Sequence, residues 1–338
     1  MAVNRKWVLA SRPVGMPTLE NFRLEEAPVP VPGEGELLLR TLWLSLDPYM
    51  RGRMSAAKSY AQPVEIGGTM VGGTVARVEA SNAPGFQPGD IVQCMNGWQD
   101  YAVAHPKAVV KLDPNAFPPT LALGTLGMPG LTAFVGLMDI GEPKAGETVV
   151  VSAASGAVGS VVGQLAKARG CRAVGIAGGK DKCDYVVNEL GFDVCVDHKA
   201  PDFQEQLKAA CPQGIDVYFE NVGGKVGDAC IALLNAFGRV PVCGRIANYN
   251  DTELPPGPDR MGLLLTQVLA KRLRLQGFIV SERWHRMGAF HEEAIPLIRS
   301  GKLKYREDVS EGLESAPEAF FGLLEGRNFG KLLVKVAD

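Results

Sequence analysis

The sequence predicts an α/β protein in which a mostly β barrel or sandwich accompanies a doubly wound domain with a six-stranded parallel sheet. Three observations support this prediction. Short apolar runs broken by Gly and Pro fill residues 1 to about 125, and apolar runs that alternate with helical stretches follow from about residue 145. The glycine-rich segment "AASGAVG" (153–159) connects one of these later runs to a helix.

The first part of the chain predicts short strands, and the end of the chain predicts a return to them. Runs such as "GELLLRTLWLSL" and "DIVQCM" leave room for strands of only about five to eight residues between their breaks. Near the other end, "SAPEAFFGLLEG" predicts a helix with Pro317 in its first turn, and "KLLVKV" predicts a closing strand. We therefore predict one domain from residues 1–125 and 302–338, with a second domain, 126–301, inserted into it.

Six apolar runs in the second part of the chain predict the parallel sheet. They are "TVVVS" (148–152), "RAVGIA" (172–177), "DVCV" (193–196), "IDVYFE" (215–220), "RVPVC" (239–243) and "LRLQGFIV" (273–280). Near-continuous apolar strands joined by amphipathic helices indicate a sheet that is covered on both faces. The segment "MGLLLTQVLAKR" (261–272) predicts a helix whose apolar stripe belongs to the core.

The composition restricts the possible partners and location. The 338 residues carry 35 Lys and Arg against 37 Asp and Glu, a net charge of −2, with no long basic run, which argues against nucleic acid and anionic membranes as partners. No run approaches the about 18 apolar residues of a membrane-spanning helix. Seven scattered cysteines without CxxC spacing predict reduced thiols in a cytoplasmic protein.

The stretch "VSAASGAVGSVVGQLAKARG" (151–170) predicts a phosphate-binding turn that opens a helix. Ala153, Gly156 and Gly159 occupy the three positions of the dinucleotide fingerprint, and alanine suits the first of them if its φ stays negative. The helix start is predicted to bind phosphate through its backbone N–H groups, those of Ser155, Ala157 and Val158 among them. The alternative is that these glycines only tighten a turn.

The residues after the second strand predict which dinucleotide binds. An NAD site places Asp or Glu there to bind the ribose 2′-OH, whereas this strand is followed by Gly178, Gly179, Lys180, Asp181 and Lys182. Asp181 lies a few residues too late for that role and is expected to cap the following helix. Glycines leave space for a 2′-phosphate and lysines neutralise it, so the sequence favours NADP(H). The alternative is that these are surface lysines at the start of a helix.

Other kinds of catalytic group are missing from the sequence. The four histidines, at 105, 198, 285 and 291, do not pair with cysteine at the spacing of metal ligands, so we predict no catalytic metal. No GxSxG nucleophile motif occurs either. The chemistry must therefore come from hydride transfer and a few hydroxyl or backbone donors.

Several motifs resemble the zinc-free branch of the medium-chain dehydrogenase/reductase superfamily that holds prostaglandin reductases, plant alkenal double-bond reductases and bacterial curcumin reductases. They are "LSLDPYMRGRM" (44–54), "GMPGLTAFVGL" (127–137), "ENVGG" (220–224), "CGRIANYN" (243–250), "LPPGPDR" (254–260), "LRLQGFIV" and "NFGKLLV" (328–334). The likeness covers nearly the whole chain. Where zinc relatives carry a GHE signature, this chain reads "GGTMVGG" (67–73), with Thr69 and Met70 at the metal-site positions.

The resemblance implies NADPH-dependent reduction of a C=C bond conjugated to a carbonyl, a GroES-like barrel beside a Rossmann domain, and a homodimer. By this similarity Lys182 would hold the 2′-phosphate, and His198 stands where relatives often have a second, tyrosine contact. The remaining cofactor positions implied by the resemblance are Met128, Thr132, Asn221, Cys243, Phe278, Ile279, Asn328 and Gly330.

The expected chemistry needs a hydroxyl donor, and the sequence offers three tyrosines. Hydride addition to the β-carbon of an enone builds negative charge on the carbonyl oxygen, and the α-carbon then takes a proton. Tyr249 follows the fifth strand, at the sheet edge where ligands of such folds bind. Tyr49, which follows the turn Asp47-Pro48, and Tyr60 come from the barrel half. The alternative for all three tyrosines is packing only.

Two rival functions and one assembly mode remain open from the sequence. A zinc-free NADPH quinone reductase shares this fold and cofactor, and a non-catalytic NADPH-binding protein would show no turnover. The double-bond reductase that the resemblance implies would act on enones or enals, with curcumin-like compounds among them. Edge-to-edge pairing of "LRLQGFIV" with a second copy is the predicted route to a dimer.

Overall fold

The computed structural model describes residues 3–253 and 260–338. It contains two compact units, one formed by residues up to Gly124 together with Glu307–Asp338, and the other by Thr125–Arg306. Residues 254–259 of the motif "LPPGPDR" lie outside the described residues. Within the described ranges, no helix has the length and apolar character needed to cross a membrane.

The first unit begins with seven short strands and one short helix. They are β1 (Val3–Leu9), β2 (Phe22–Pro28), β3 (Leu37–Ser45), α1 (Tyr49–Arg53), β4 (Thr74–Ser81), β5 (Ile91–Cys94), β6 (Tyr101–Ala104) and β7 (Val110–Leu112). Gly and Pro stand between these strands, as the sequence pattern requires.

The second unit alternates strands and helices. Its elements are α2 (Met128–Val135), β8 (Thr148–Ser152), α3 (Gly159–Ala168), β9 (Arg172–Ala177), α4 (Lys180–Asn188), β10 (Val194–Asp197), α5 (Phe203–Ala210), β11 (Ile215–Phe219), α6 (Gly224–Ala232), β12 (Leu234–Val242), α7 (Met261–Lys271), β13 (Arg274–Gly277) and α8 (Met287–Arg299). A π-helical turn, Gly136–Gly141, directly continues α2.

The chain then returns to the first unit through β14 (Glu307–Glu311), α9 (Ala316–Leu324) and β15 (Lys331–Lys335). The barrel-like sheet of this unit has the order β14-β15-β3-β4-β5-β7, and β6 also pairs with β3. Pro317 lies in the first turn of α9, where a missing N–H costs no hydrogen bond.

A buried ion pair fixes the return strand to the motif "LSLDPYMRGRM". The Lys331 ammonium donates to the Leu46 carbonyl at 2.8 Å, to the Leu332 carbonyl at 3.0 Å and to an Asp47 carboxylate oxygen at 3.1 Å. Ser45 donates from its hydroxyl to the other oxygen of the same carboxylate. Because both charges are almost fully buried, each depends on the other and on these hydrogen bonds.

The sheet of the second unit is the predicted six-stranded parallel sheet. Its strand order is β10-β9-β8-β11-β12-β13, and every neighbouring pair is parallel. This is the order of a doubly wound dinucleotide fold, in which the strand order reverses between the first and fourth strands along the chain. The carboxyl ends of β8 and β11 therefore lie at the edge where such folds bind ligands.

Both faces of this sheet are covered. On β8, Val149 and Val151 belong to one buried apolar cluster and Val150 to another, because successive strand residues point to opposite faces. Residues of α3 and α8 pack in the first cluster, while residues of α5 and α6 pack in the second. This explains why the strands read as continuous apolar runs.

Two expectations at the β13 edge of the sheet are wrong. The strand predicted over 273–280 ends at Gly277, where its pairing with Val242 of β12 stops, and the Phe278 ring then packs against Phe219, with centroids 6.5 Å apart. The apolar stripe of α7 is not core, since no residue of this helix is buried and Leu269 is 80% exposed. Periodicity shows that one face of a helix is apolar, and it does not show what covers that face.

Candidate active site

The turn between β8 and α3 leads directly into a helix start that no side chain caps. Val158 caps α3 without a side-chain hydrogen bond, while the amides of Ser160 and Val161 donate to the Gly156 and Val158 carbonyls at 3.0 and 3.1 Å. A Cβ on Gly159 would collide with the Ala153 carbonyl oxygen, and one on Gly156 would lie 3.2 Å from the same atom. The two glycines thus allow the turn to fold tightly against the helix start, which favours an anion there.

Ala153 does not keep the negative φ that the sequence analysis expects, and its φ is +52°. The amide of Ala154 donates to the Ile176 carbonyl at 3.0 Å, and the amide of Gly156 donates to the Ala153 carbonyl at 2.9 Å. These bonds hold the chain as it reverses from strand to helix. A non-glycine residue in this left-handed region costs about 1–2 kcal/mol, so the turn is strained.

The two residues directly after β9, Gly178 and Gly179, have no side chains, so no carboxylate stands there to bind a ribose hydroxyl. Gly179 caps α4 with φ +95° and ψ 155°, a conformation that side chains rarely tolerate. A Cβ on Gly178 would lie 2.9 Å from His198 Nε2 and 3.1 Å from Lys199 Cε. The space next to the missing side chain is therefore taken by an imidazole and a lysine.

Three lysines and an imidazole stand on the loops and helix starts around this glycine turn, and we call Lys182, His198, Lys199 and Lys225 the cation patch, after its lysines. Lys182 lies in the first turn of α4, His198 and Lys199 follow β10, and Lys225 lies in the first turn of α6. Burial lowers the pKa of His198, Asp197 opposes this effect, and Lys225 and Lys199 add to it. The patch suits a group with more than one negative charge.

Asp197, at the end of β10, organises the two loops of the cation patch and was missed by the sequence analysis. One of its carboxylate oxygens accepts the amides of Gly179 and Lys199, both at 2.9 Å. Burial raises the pKa of Asp197, but these two hydrogen bonds together with the charges of His198 and Lys199 outweigh burial, and the net pKa is lowered. The only sequence signal was its position at a strand end.

The loop after β11 is organised by a second buried carboxylate, also missed by the sequence analysis. Glu220 is 6% exposed, and its Oε1 accepts the Tyr218 hydroxyl at 2.8 Å and the amides of Val222 at 2.7 Å and Gly223 at 2.9 Å. A Glu that ends an apolar strand was the available signal. Its hydrogen bonds fix the backbone of "ENVGG" at the sheet edge.

Asn221 joins the β8 and β11 strand ends. Its amide donates to the Ser152 hydroxyl at 2.9 Å, and its side-chain Nδ2 donates to the Ser152 carbonyl at 2.8 Å. These two bonds bring Asn221 to the start of the phosphate turn, because Ser152 directly precedes Ala153.

Tyr249 lies at the same edge of the sheet. The amides of Cys243 and Gly244 donate to the Glu220 carbonyl at 2.9 and 3.1 Å, which places the end of β12 beside "ENVGG". A 3₁₀ turn over Ile246–Asn248 then leads to Tyr249, whose hydroxyl lies 3.2 Å from where a Cβ on Gly244 would be. Burial raises the pKa of Cys243 to about 12, so its thiol stays neutral.

Comparison with known proteins gives the family. Residues 5–112 match the model described as "N-terminal domain of oxidoreductase", and residues 157–298 match "Zinc-binding dehydrogenase". The NADPH-dependent curcumin reductase of Escherichia coli (strain K12) is 58% identical over 335 residues, which are 99% of this chain and 97% of the relative. The chain belongs to the zinc-free branch of the medium-chain dehydrogenase/reductase superfamily.

Two further relatives also match this chain over nearly their whole length. The 2-alkenal reductase (NADP(+)-dependent) of Nicotiana tabacum is 42% identical over 340 residues, covering 99% of this chain and 98% of the relative. The crystal structure of CurA in complex with NADPH from Vibrio vulnificus has a TM-score of 0.96 at 56% identity and covers 99% of each chain.

The remaining residues that the resemblance assigns to the cofactor lie in several elements of the two units. Thr132 is buried in α2 and donates its hydroxyl to the Met128 carbonyl at 2.8 Å. Phe278 contacts Phe219 as described above, and Ile279 is the next residue, directly before a 3₁₀ turn. Asn328 and Gly330 belong to the first unit, where the Asn328 side chain donates to the Gly330 carbonyl at 2.9 Å.

The other two tyrosines also belong to the first unit. Tyr49 begins α1 and packs against the apolar cluster of this unit, so it is less exposed than the turn signal predicts. Burial raises the pKa of Tyr49, the Asp47 carboxylate adds to the effect, and Arg53 opposes it. Tyr60 is 63% exposed.

The metal-site positions of zinc-dependent family members hold other residues here. Met70 is fully buried and belongs to the apolar cluster of the first unit. Among residues 3–253 and 260–338, no group of three His, Cys, Asp or Glu lies close enough to hold a metal ion.

Proposed function

We propose that this chain is an NADPH-dependent reductase of the C=C bond of α,β-unsaturated ketones and aldehydes. The observation that carries this proposal is the 58% sequence identity to the curcumin reductase of Escherichia coli over nearly all of both chains. The substrates we propose are enones and enals, with curcumin-like and alkenal compounds among them. The 2-alkenal reductase relative supports the same reaction class.

The described residues fit NADP(H). The uncapped start of α3 suits the pyrophosphate, with Ala153, Ser155, Gly156, Ala157, Val158 and Gly159 around it. The cation patch beside Gly178 and Gly179 suits the 2′-phosphate, because no carboxylate from the end of β9 would repel it. We propose that Asn221, Cys243, Phe278, Ile279, Thr132 and Met128 line the rest of the cofactor, with Asn328 and Gly330 from the first unit.

Bound NADPH supplies a hydride to the β-carbon of the enone. The chain's own task is to stabilise the negative charge that then develops on the carbonyl oxygen and to deliver a proton. We assign the hydrogen bond to Tyr249, whose hydroxyl lies at the ligand-binding sheet edge beside Gly244. One donor aimed at such an oxygen contributes about 3 kcal/mol. A hydroxyl or water then protonates the α-carbon.

The first unit supplies further hydroxyls in this proposal. Tyr49 is protonated at neutral pH, as an ordinary tyrosine is, and burial raises its pKa further, so its phenol can donate a hydrogen bond. Tyr60 lies close enough to Tyr49 to act on it electrostatically, and its exposure leaves it accessible to a ligand. We propose that both face the substrate.

The reaction is tested by following NADPH oxidation by absorbance with curcumin, 2-alkenals and simple enones, and with quinones for comparison. We expect turnover on the unsaturated carbonyl compounds and a preference for NADPH over NADH. Faster turnover on a quinone than on any enone would instead identify a quinone reductase. Tight NADPH binding without turnover on the whole panel would identify a non-catalytic binding protein.

We also propose that the protein is a homodimer formed through the β13 edge of the sheet. Among residues 3–253 and 260–338, strand β13 pairs only with β12, and α7 presents Leu263 and Leu269, which are 62% and 80% exposed. A second copy would cover this apolar face and pair with the free strand edge. Leu269→Glu should lower the mass measured by light scattering, while Val31→Glu, at an 87% exposed site of the first unit, should not.

The compartment we propose is the cytoplasm. All seven cysteines are free, which suits a reducing compartment. Fractionation of cells that express the chain tests this, and recovery in a secreted or membrane fraction would contradict it.

A further inference from the structure

Two of the seven free cysteines lie together next to the cation patch. Cys183 is in the first half of α4, Cys195 is in β10, and their side chains are hydrogen-bonded to each other. Both are partly exposed, whereas Cys94, Cys171, Cys211 and Cys230 are buried. The described mechanism uses neither thiol of this pair.

The packing around Gly175 explains why the two sulfur atoms meet. Gly175 stands directly opposite Cys195 in the sheet register, and a Cβ added to it would lie 3.3 Å from Cys195 Sγ. The same Cβ would lie 2.8 Å from a methyl carbon of Val186, a residue of α4. The Cys195 side chain therefore lies over a glycine, on the face of the sheet that α4 covers, which is where Cys183 is.

The position of Cys183 makes it the reactive member of the pair. It ends the first turn of α4, where the helix N-terminus stabilises a thiolate. The hydrogen bond from Cys195 and the Ala177 backbone lower the pKa of Cys183, while burial and the Asp197 and Asp184 carboxylates oppose this effect. The same hydrogen bond and burial raise the pKa of Cys195. Elsewhere burial raises cysteine pKa values, to about 11 for Cys94 and Cys211. A thiolate next to a second thiol is the usual arrangement of an oxidisable pair.

We propose that Cys183 and Cys195 are a modification site at which hydrogen peroxide forms a reversible disulfide. The Cys183 thiolate attacks one peroxide oxygen, so that an S–O bond forms, the O–O bond breaks and the departing hydroxide becomes water. The Cys195 sulfur then attacks Cys183, the S–O bond breaks, and the thiol proton leaves with the hydroxyl as a second water. Two thiols are oxidised and one peroxide is reduced.

The disulfide also acts on the cofactor site, a consequence that rests on the proposed function. Lys182 precedes Cys183, and His198 lies three residues after Cys195. A disulfide needs a sulfur–sulfur distance of about 2.05 Å, shorter than a thiol hydrogen bond, so closure pulls the first turn of α4 toward β10. We expect oxidation to raise the KM for NADPH several-fold and to leave the KM for NADH, which has no 2′-phosphate, unchanged.

The test treats the whole chain with hydrogen peroxide and maps its thiols by mass spectrometry. We expect the loss of two hydrogen atoms, a peptide pair linked through Cys183 and Cys195, and full reversal by dithiothreitol. Cys195→Ala should instead leave a sulfenic acid on Cys183 that dimedone traps. Cys243→Ala, a change at another partly exposed cysteine, should form the disulfide as the unaltered chain does.

The mapping needs no substrate, so it stands apart from the proposed function. Absence of the Cys183–Cys195 link in the unaltered chain, or overoxidation of Cys183 without any disulfide, overturns the proposal. Formation of the link with an unchanged KM for NADPH overturns the effect on the cofactor site. Lack of all turnover on enones contradicts the proposed function and leaves the mapped disulfide as it is.

Discussion

Replacement of Lys182 by alanine is the sharpest test of the proposed 2′-phosphate site. Lys182 lies in the first turn of α4, beside Gly179 and the other members of the cation patch. A hydrogen bond from a charged group to phosphate contributes about 1.5–3 kcal/mol. At about 1.4 kcal/mol for each tenfold change, Lys182→Ala should raise the KM for NADPH roughly 10- to 100-fold. Because the side chain is only half-buried, screening by solvent favours the lower end of this range.

The same helix turn offers a matched control. Lys180 is 82% exposed at its side chain and forms an ion pair with Asp184, one turn further along α4. Lys180→Ala removes the same charge from the same turn and should leave the KM for NADPH within about twofold of the unaltered chain, since exposed pairs contribute little. Initial rates with NADPH and NADH over a range of concentrations measure both variants. An equal rise for NADPH and NADH, or an equal effect of Lys180→Ala, would refute the assignment.

Four further predictions concern the turn, the proposed donor, the imidazole and the buried ion pair. Gly159→Ala should lower the free energy of unfolding by about 1–3 kcal/mol, because the added Cβ collides with a backbone carbonyl. Gly288→Ala, where the added Cβ on α8 meets open space, should not lower it, and urea titrations compare the two variants. Tyr249→Phe should lower kcat on enones about 100-fold, and unchanged turnover would remove this hydroxyl from the chemistry. Burial lowers the pKa of His198 below 6.5, so as the pH falls the unfolded chain binds a proton at this residue before the folded chain does. The free energy of unfolding should therefore decrease below about pH 6.5. His198→Asn should reduce that decrease, which urea midpoints measured over a range of pH would show. Lys331→Met should destabilise the first unit by about 3–5 kcal/mol, because a buried carboxylate loses its counter-charge; a loss below 1 kcal/mol in thermal unfolding would contradict the role of the pair.

Local patterns were enough to predict the second unit's sheet. Apolar runs bounded by polar or glycine-rich segments located all six strands, and "AASGAVG" located the turn between β8 and α3, because strand burial and turn glycines depend on neighbouring residues. The bare positions Gly178 and Gly179 were visible for the same reason. The strand ends were less accurate, since Phe278 leaves the strand for a contact with a residue far away in sequence.

The features that depend on distant contacts could not be predicted. Ala153 takes a positive φ because bonds to β9 hold the turn, and nothing in the local sequence reveals that strain. Glu220 looked like the last residue of an apolar strand, yet it orders a whole loop through backbone amides. The apolar stripe of α7 looked like core and is exposed.

The sequence by itself determined the elements, the glycine turn between β8 and α3, the two glycines directly after β9 and the family resemblance, because each of these depends on adjacent residues. Only the tertiary structure decided which side chains meet. The pairs Lys331 with Asp47 and Cys183 with Cys195 come together through sheet register and helix packing. Such contacts depend on how strands far apart in the chain align, and no local pattern encodes that alignment.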